Sequence, residues 1–281
     1  MDARAALDLI RPVNCAMIGF AVLVGGFVSK PSPVPALQLA FGFFTGFFVC
    51  AYSMAVNDIY DIEVDRVNRP ERPLPSGRVS TQSASRVSLL VLVVGIGFSV
   101  LSLNPLAVGI AVLYAFLSWL YNSRAKKTGL PGNLIVASSL AIPFVYGGVA
   151  SGGNIGGSLL LMMALTSFFA GVGREVVKAM ADVEGDAKRG VNSVARASGL
   201  SRAAAVGAAF FLLAVAASWV PLLTGLANAY YTFGVLVPDG IFVFLAAAVL
   251  ARPEPARAYK VKKAALFGMT VGLVVFILGA L

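Results

Sequence analysis

The sequence predicts an all-α, polytopic membrane protein, a bundle of nine transmembrane helices with its N-terminus in the cytoplasm. Three observations predict it. Of 281 residues, 58% are apolar and 12% charged, where a soluble domain carries about 25% charged residues. The apolar residues gather into runs long enough to cross ~30 Å of hydrocarbon as helices. The basic residues collect in every second connection, which sets orientation.

The runs lie near 14–30, 34–56, 87–103, 105–122, 133–150, 156–173, 203–224, 229–250 and 264–281. Stretches such as Leu89-Leu90-Val91-Leu92-Val93-Val94 do not alternate, so the strands of a membrane barrel are excluded. The first run follows Met1-Asp2-Ala3-Arg4 and Arg11-Pro12 without a small-residue cleavage site, and is expected to stay as an ordinary first helix. Arg4 and Arg11 precede span one, and the connections after spans two, four, six and eight hold nearly all other cations, with Lys30 on the opposite side. Those connections are therefore expected in the cytoplasm and the C-terminus outside. The net charge of +9 follows from this topology and implies no nucleic acid partner.

Residues 1–281 read as one transmembrane domain with two long cytoplasmic segments, near 57–86 and 174–202. These occupy equivalent places in spans one to four and five to eight, which hints at a duplicated four-helix unit. Loops of this length tend to carry function. The chain has no histidine, which excludes histidine-ligated metals and Ser-His or Cys-His nucleophiles. Cys15 and Cys50 lie inside apolar runs without metal-ligand spacing and read as packing residues.

The chemistry lies in the acids. The second run leads into Asn57-Asp58-Ile59-Tyr60-Asp61-Ile62-Glu63-Val64-Asp65. Continued as a helix, Asp58, Asp61 and Asp65 fall within about 60° of one another, with Asn57 beside them. After the sixth run, Arg174, Lys178, Asp182 and Asp186 recur every fourth residue and form one stripe ~18 Å long. Carboxylates aimed at one site repel each other unless a cation joins them. Oxygen ligands without Cys or His select a hard ion, and Mg²⁺ is commonly held by one or two carboxylates together with substrate phosphates. Two such clusters flanked by Arg and Lys suit a magnesium-bridged diphosphate; the plainer alternative is solvated helices with i,i+4 ion pairs.

The segment from Arg66 to Arg78 includes Pro70, Pro73 and Pro75 and reads as a rigid loop presenting arginines, either to a diphosphate or to lipid headgroups. Tyr121-Asn122-Ser123-Arg124-Ala125-Lys126-Lys127 ends span four; its cations would bind an acceptor phosphate or merely set topology. Asp239, flanked by Pro238 and Gly240, reads as a locally satisfied carboxylate at a helix break, outside the site.

These residues resemble the two signature motifs of the UbiA-type intramembrane prenyltransferases: Asn57-Asp58-x-x-Asp61-x-x-x-Asp65 and Asp182-x-x-x-Asp186, with Asn68-Arg69-Pro70 and Arg72-Pro73-Leu74-Pro75-Ser76-Gly77 between. The wording around both motifs is most similar to archaeal members that build lipid ethers, although Ala179 departs from the acid often found there and Val191-Asn192-Ser193-Val194 is less typical. The resemblance implies that Asn57, Asp58, Asp61, Asp65, Asp182 and Asp186 hold Mg²⁺ on an allylic diphosphate. It implies that Asp61, Asp65, Asp182 and Asp186 act in catalysis, and that Arg11, Arg66, Arg174 and Lys178 bind the diphosphate, with Tyr121 and Lys126 as further substrate contacts. The reaction so implied is transfer of a geranylgeranyl group to geranylgeranylglyceryl phosphate in the cell membrane, with the active site at the cytoplasmic face. An aromatic acceptor such as 4-hydroxybenzoate is the alternative. An ion-coupled transporter is the remote one, since transporters place acids near the midplane and here every acid except Asp239 lies in or beside the cytoplasmic segments.

Overall fold

The computed structural model of the chain describes residues 3–29, 36–153, 155–156, 159–188 and 190–281. Lys30 and Arg189 lie outside the described residues. Among those residues every regular element is a helix. Eight helices are long and apolar enough to cross a membrane, and a bent N-terminal pair makes nine when taken as one span. The chain divides into two compact units, Met1–Ser123 with Pro143–Asn154 and Arg124–Ile142 with Ile155–Leu281.

In the first unit, α1 (Ala3–Ile10) and α2 (Pro12–Val28) meet at a 46° bend. Arg11 between them has φ 51° and ψ 69°, a left-handed conformation uncommon outside glycine. Pro12 accounts for the break: it disfavours a right-handed helical residue before it and suits the first helical position after it. α3 (Ala36–Tyr60) is followed by α4 (Ile62–Asn68), then by a turn-rich loop and α5 (Thr81–Leu101). The Ser80 hydroxyl caps α5 by accepting from the Ser83 amide at 3.2 Å. α6 (Pro105–Ser123) starts at Asn104, whose side chain accepts from Leu106 N at 3.0 Å and donates to Val149 O at 2.8 Å. α7 (Leu130–Ala150) belongs to this unit from Pro143 onward. There it meets α2 backbone to backbone, for a Cβ on Gly147 would lie 1.9 Å from Val22 O and one on Gly25 would lie 2.0 Å from Phe144 O. Small residues at helix contacts are the usual means of close packing in lipid, where burial of apolar surface supplies little attraction between helices.

The second unit holds the first part of α7 and then α8 (Leu159–Ala181), α9 (Val183–Lys188), α10 (Val194–Ser198), α11 (Leu200–Leu223), α12 (Ala229–Gly234), α13 (Leu236–Ala251) and α14 (Pro255–Ala280). Its core joins Val172, Val176 and Met180 of α8 to Ala204 and Phe211 of α11, Phe242 and Val249 of α13, and Val261 and Ala265 of α14. The run 229–250 is interrupted at Val235 between α12 and α13, and α14 begins well before the apolar run at 264. Asp239 is buried on α13 and accepts from Ser218 Oγ at 2.9 Å and Trp219 Nε1 at 2.8 Å. Two donors from α11 thus hold it in apolar surroundings, as a buried carboxylate requires.

Large apolar side chains such as Leu89, Val93, Leu213 and Phe244 are exposed on these helices, which on a soluble protein would be an aggregation liability. In a bilayer they face lipid tails.

Candidate active site

Each aspartate motif is built the same way. The helix α3 ends at Tyr60, Asp61 stands alone as a turn residue, and α4 follows. Asp61 N donates to Asn57 O at 3.0 Å, and Asp65 N donates to Asp61 O at 2.8 Å. In the second unit α8 ends at Ala181, Asp182 stands alone, and α9 follows. Asp182 N donates to Lys178 O at 3.1 Å and Asp186 N donates to Asp182 O at 2.8 Å. The uninterrupted helix assumed for the sequence is therefore broken at one residue in both places. Its four-residue hydrogen-bond register runs through each break, so the spacing of the motif survives.

In the first unit Asp58 is the anchor. Its side chain is 2% exposed, and its Oδ1 accepts from Arg11 Nη2 and, at 3.4 Å, from Arg72 Nη1. The same Arg72 nitrogen donates to Oδ2 of Asp65, so Arg72 bridges two motif carboxylates. Arg11 also reaches Met54 Sδ at 3.4 Å. Asn57 donates from Nδ2 to Oδ1 of Asn122 at 3.0 Å, and Asn122 Nδ2 donates to Ser118 O at 2.9 Å, which fixes α3 against the end of α6. Arg66 lies elsewhere: it pairs with Glu63 at 2.8 Å, both side chains being exposed. Asp61 and Tyr121 are half-buried.

The loop carrying Arg72 is held in place. Leu74 and Val79 are buried against Ala5, Leu9, Ala55 and Ala84, Val79 N donates to Pro73 O at 3.0 Å, and Arg78 bridges to Asp8 of α1 at 2.7 Å. The prolines give the segment its turns and its two apolar residues tie it down.

In the second unit Glu175, buried on α8, accepts from Arg174 Nη1 at 2.6 Å and from Lys178 Nζ at 2.9 Å. The expected four-residue stripe is therefore joined by a fifth residue, Glu175, which pairs with both of its cations. Asp182 faces Lys262 of α14 at 3.3 Å, and Asp186 is buried. The carbonyl of Asp186 accepts from Arg196 Nη1 at 3.4 Å, and that of Val191 from the same atom at 2.6 Å. Lys126 is half-buried in a single 3₁₀ turn, Ala125–Lys127, and Lys127 O accepts from Asn192 N at 2.9 Å. That bond fastens the basic turn before α7 to the loop after the second motif.

Arg72, Asn122, Glu175 and Lys262 are the contacts that sequence reasoning did not place in the site. Arg72 lies inside a quoted motif, Asn122 in the polar patch that ends span four, and Glu175 beside Arg174; Lys262 is distant in the chain and gave no local signal.

Each unit carries a buried polar atom that a hard cation or an anion would satisfy. Asp58 Oδ2 is buried with no hydrogen-bond partner among the described residues, and so is Arg174 Nε. A buried carboxylate oxygen without a donor and a buried guanidinium N–H without an acceptor are both costly; Mg²⁺ and a phosphate oxygen would satisfy them. Among the described residues no three His, Cys, Asp or Glu side chains are grouped closely enough to hold a metal by themselves.

Residues 18–280 match the UbiA prenyltransferase family. The digeranylgeranylglyceryl phosphate synthase of Methanocaldococcus jannaschii is 34% identical over 99% of this chain and 96% of its own. A solved structure of digeranylgeranylglyceryl phosphate synthase superposes with a TM-score of 0.89 at 34% identity, covering 99% of this chain and 98% of the other. A UbiA homologue from Archaeoglobus fulgidus, bound to DMAPP and Mg²⁺, shares the fold with a TM-score of 0.70 at 17% identity, over 96% and 98% of the two chains.

Proposed function

Because the chain belongs to the UbiA prenyltransferase family, we propose that it transfers a geranylgeranyl group from geranylgeranyl diphosphate to the hydroxyl of geranylgeranylglyceryl phosphate, forming an ether bond of archaeal membrane lipid. The observation that carries this reading is the likeness, over the full length, to synthases of that ether.

We assign Asn57, Asp58, Asp61 and Asp65 of the first motif and Asp182 and Asp186 of the second to Mg²⁺ and its diphosphate; the motif resemblance supports joining the two sets. When bound, Mg²⁺ would draw off charge that builds on the departing diphosphate. Arg174 and Lys178, already oriented by Glu175, offer fixed positive charge to the same oxygens, and preorganised charge costs no rearrangement as the bond breaks. Arg11 does the same from the first unit, and Arg66, Tyr121 and Lys126 stand as further substrate contacts. The allylic C–O bond to diphosphate breaks, a hydroxyl oxygen of the acceptor bonds to the same carbon, and its proton passes to a motif carboxylate or to the diphosphate. Apolar helix walls keep water from the allylic cation. An alcohol suffices as nucleophile because the cation is strongly electrophilic and the two are held together, so no histidine base is required.

Charge asymmetry supports a cytoplasmic N-terminus and cytoplasmic motif segments, on the side where soluble diphosphates are available. Purified protein given geranylgeranyl diphosphate with geranylgeranylglyceryl phosphate should form the ether and release diphosphate. Product from 4-hydroxybenzoate alone would replace the lipid acceptor by an aromatic one.

A further inference from the structure

The contact between α14 and the second motif is unlike the ion pairs around it. Lys262 Nζ lies 3.3 Å from Oδ1 and 3.4 Å from Oδ2 of Asp182, astride both oxygens. Those separations exceed the ~2.7–2.9 Å of a tight charge-assisted hydrogen bond, and the pairs of Glu175 on α8 are tighter, at 2.6 and 2.9 Å. The burial is inverted as well: the lysine side chain is 16% exposed and the aspartate 40%. Lys178, the helical neighbour four residues before Asp182, is engaged by Glu175 instead. In the same position the Lys262 ammonium lies 5.0 Å from the centre of the Tyr259 ring, a distance at which a cation is attracted to an aromatic face, so part of its stabilisation does not depend on Asp182.

Resting on the metal-diphosphate reading above, we propose that Lys262 is a counter-ion-exchange residue. Its ammonium neutralises Asp182 in the substrate-free protein, yields the carboxylate to the metal when metal and diphosphate arrive, and then pairs with a diphosphate oxygen. A lysine suits this role, being a compact charge on a flexible stem whose donors can be re-aimed, where the rigid fork of arginine would hold the carboxylate. Lys262 is thus a positioning residue in the empty protein and a substrate contact in the loaded one.

The two states give opposite signs in one variant. Mn²⁺ binding to the full chain in detergent is measured by EPR, with and without inorganic pyrophosphate, for wild type, Lys262→Gln, Lys262→Arg and Asp182→Asn. Without pyrophosphate, Lys262→Gln should bind Mn²⁺ roughly two- to fivefold more tightly, the scale of a partly exposed ion pair. With Mn²⁺ saturating, the same variant should bind pyrophosphate more weakly than wild type. Lys262→Arg should bind Mn²⁺ no more tightly than wild type, and Lys262→Gln added to Asp182→Asn should change Mn²⁺ affinity no further. Unchanged or weaker Mn²⁺ binding in Lys262→Gln overturns the exchange while Asp182 keeps its assignment. Equal Mn²⁺ binding in wild type and Asp182→Asn removes Asp182 from the metal site, and the exchange falls with it.

Discussion

Arg72 donates to the carboxylate of Asp65, seven residues earlier in the chain, and so folds the proline loop back onto the first motif. Arg72→Ala would leave two buried carboxylates with less counter-charge. Loss of one partner of a buried ion pair costs ~3–5 kcal/mol; since Arg11 still serves Asp58, about 2 kcal/mol is expected. Thermal unfolding in detergent should show a lower Tm, and Arg72→Lys should recover part of it, because an ammonium lacks the planar fork.

Asp61→Ala and Asp182→Ala should each lower turnover by about 10²-fold or more with little change in Tm, since each side chain stands at a helix break and is only partly buried. Asp186→Ala should lose turnover too, with a fall in Tm because Asp186 is buried. Chelation by EDTA should abolish wild-type turnover and excess Mg²⁺ restore it. Wild-type rates in Asp182→Ala would remove the second motif from the reaction.

Asp239 offers the contrasting case. Its two donors on α11 give it a place in packing, so Asp239→Ala should lower Tm, at about 1–3 kcal/mol for the stranded Ser218 and Trp219 groups, and leave kcat near wild type. A large loss of kcat at unchanged Tm would bring Asp239 into the chemistry.

At Gly147 the obstacle to a side chain is backbone, 1.9 Å from the added carbon. Gly147→Ala should lower the yield of folded protein and its Tm, at about 1–3 kcal/mol for overpacking, whereas Gly109→Ala, where a Cβ meets nothing within 4 Å, should be neutral. Equal Tm values for the two variants would contradict the α2–α7 contact.

Orientation can be read by labelling. In a background lacking Cys15 and Cys50, Ser76→Cys and Glu184→Cys, both at exposed positions, should react with an impermeant thiol reagent in inside-out vesicles and resist it in intact cells. The reverse pattern would invert the topology.

The spans were legible because hydrophobic length is a bulk property of a run, and nine runs correspond to nine spans with the bent pair counted as one. Boundaries were less so. The helix α14 starts at Pro255 and carries Arg257, Lys260, Lys262 and Lys263 before its apolar part; hydropathy registers only the apolar part, although the polar residues are helical. The spacing of the two carboxylate motifs was legible, since the four-residue register persists through the breaks at Asp61 and Asp182. Their partners were not. A helical neighbour rule assigns Lys178 to Asp182, but Glu175 is three residues from Lys178 and more deeply buried, so the lysine turns to it. Ser193, within the long segment near 174–202, is buried, and its hydroxyl has no partner among the described residues; its neighbour Asn192 is fastened to Lys127.

The single-residue breaks at Asp61 and Asp182 bear on folding as well as on the proposed catalysis. The aligned peptide dipoles of a long helix leave roughly half a negative charge at its C-terminal end, and α3 and α8 each end just before a lone aspartate. An acid there is repelled by the helix it follows, at a cost of about 0.3–1 kcal/mol, whereas Asp65 and Asp186 lie in the first turns of α4 and α9, where an acid is favoured. Without a divalent ion the protein carries this repulsion in its resting state. A bound cation relieves it and is linked to the folded form, so Mg²⁺ should raise Tm as its concentration rises, even in a protein that never meets a substrate.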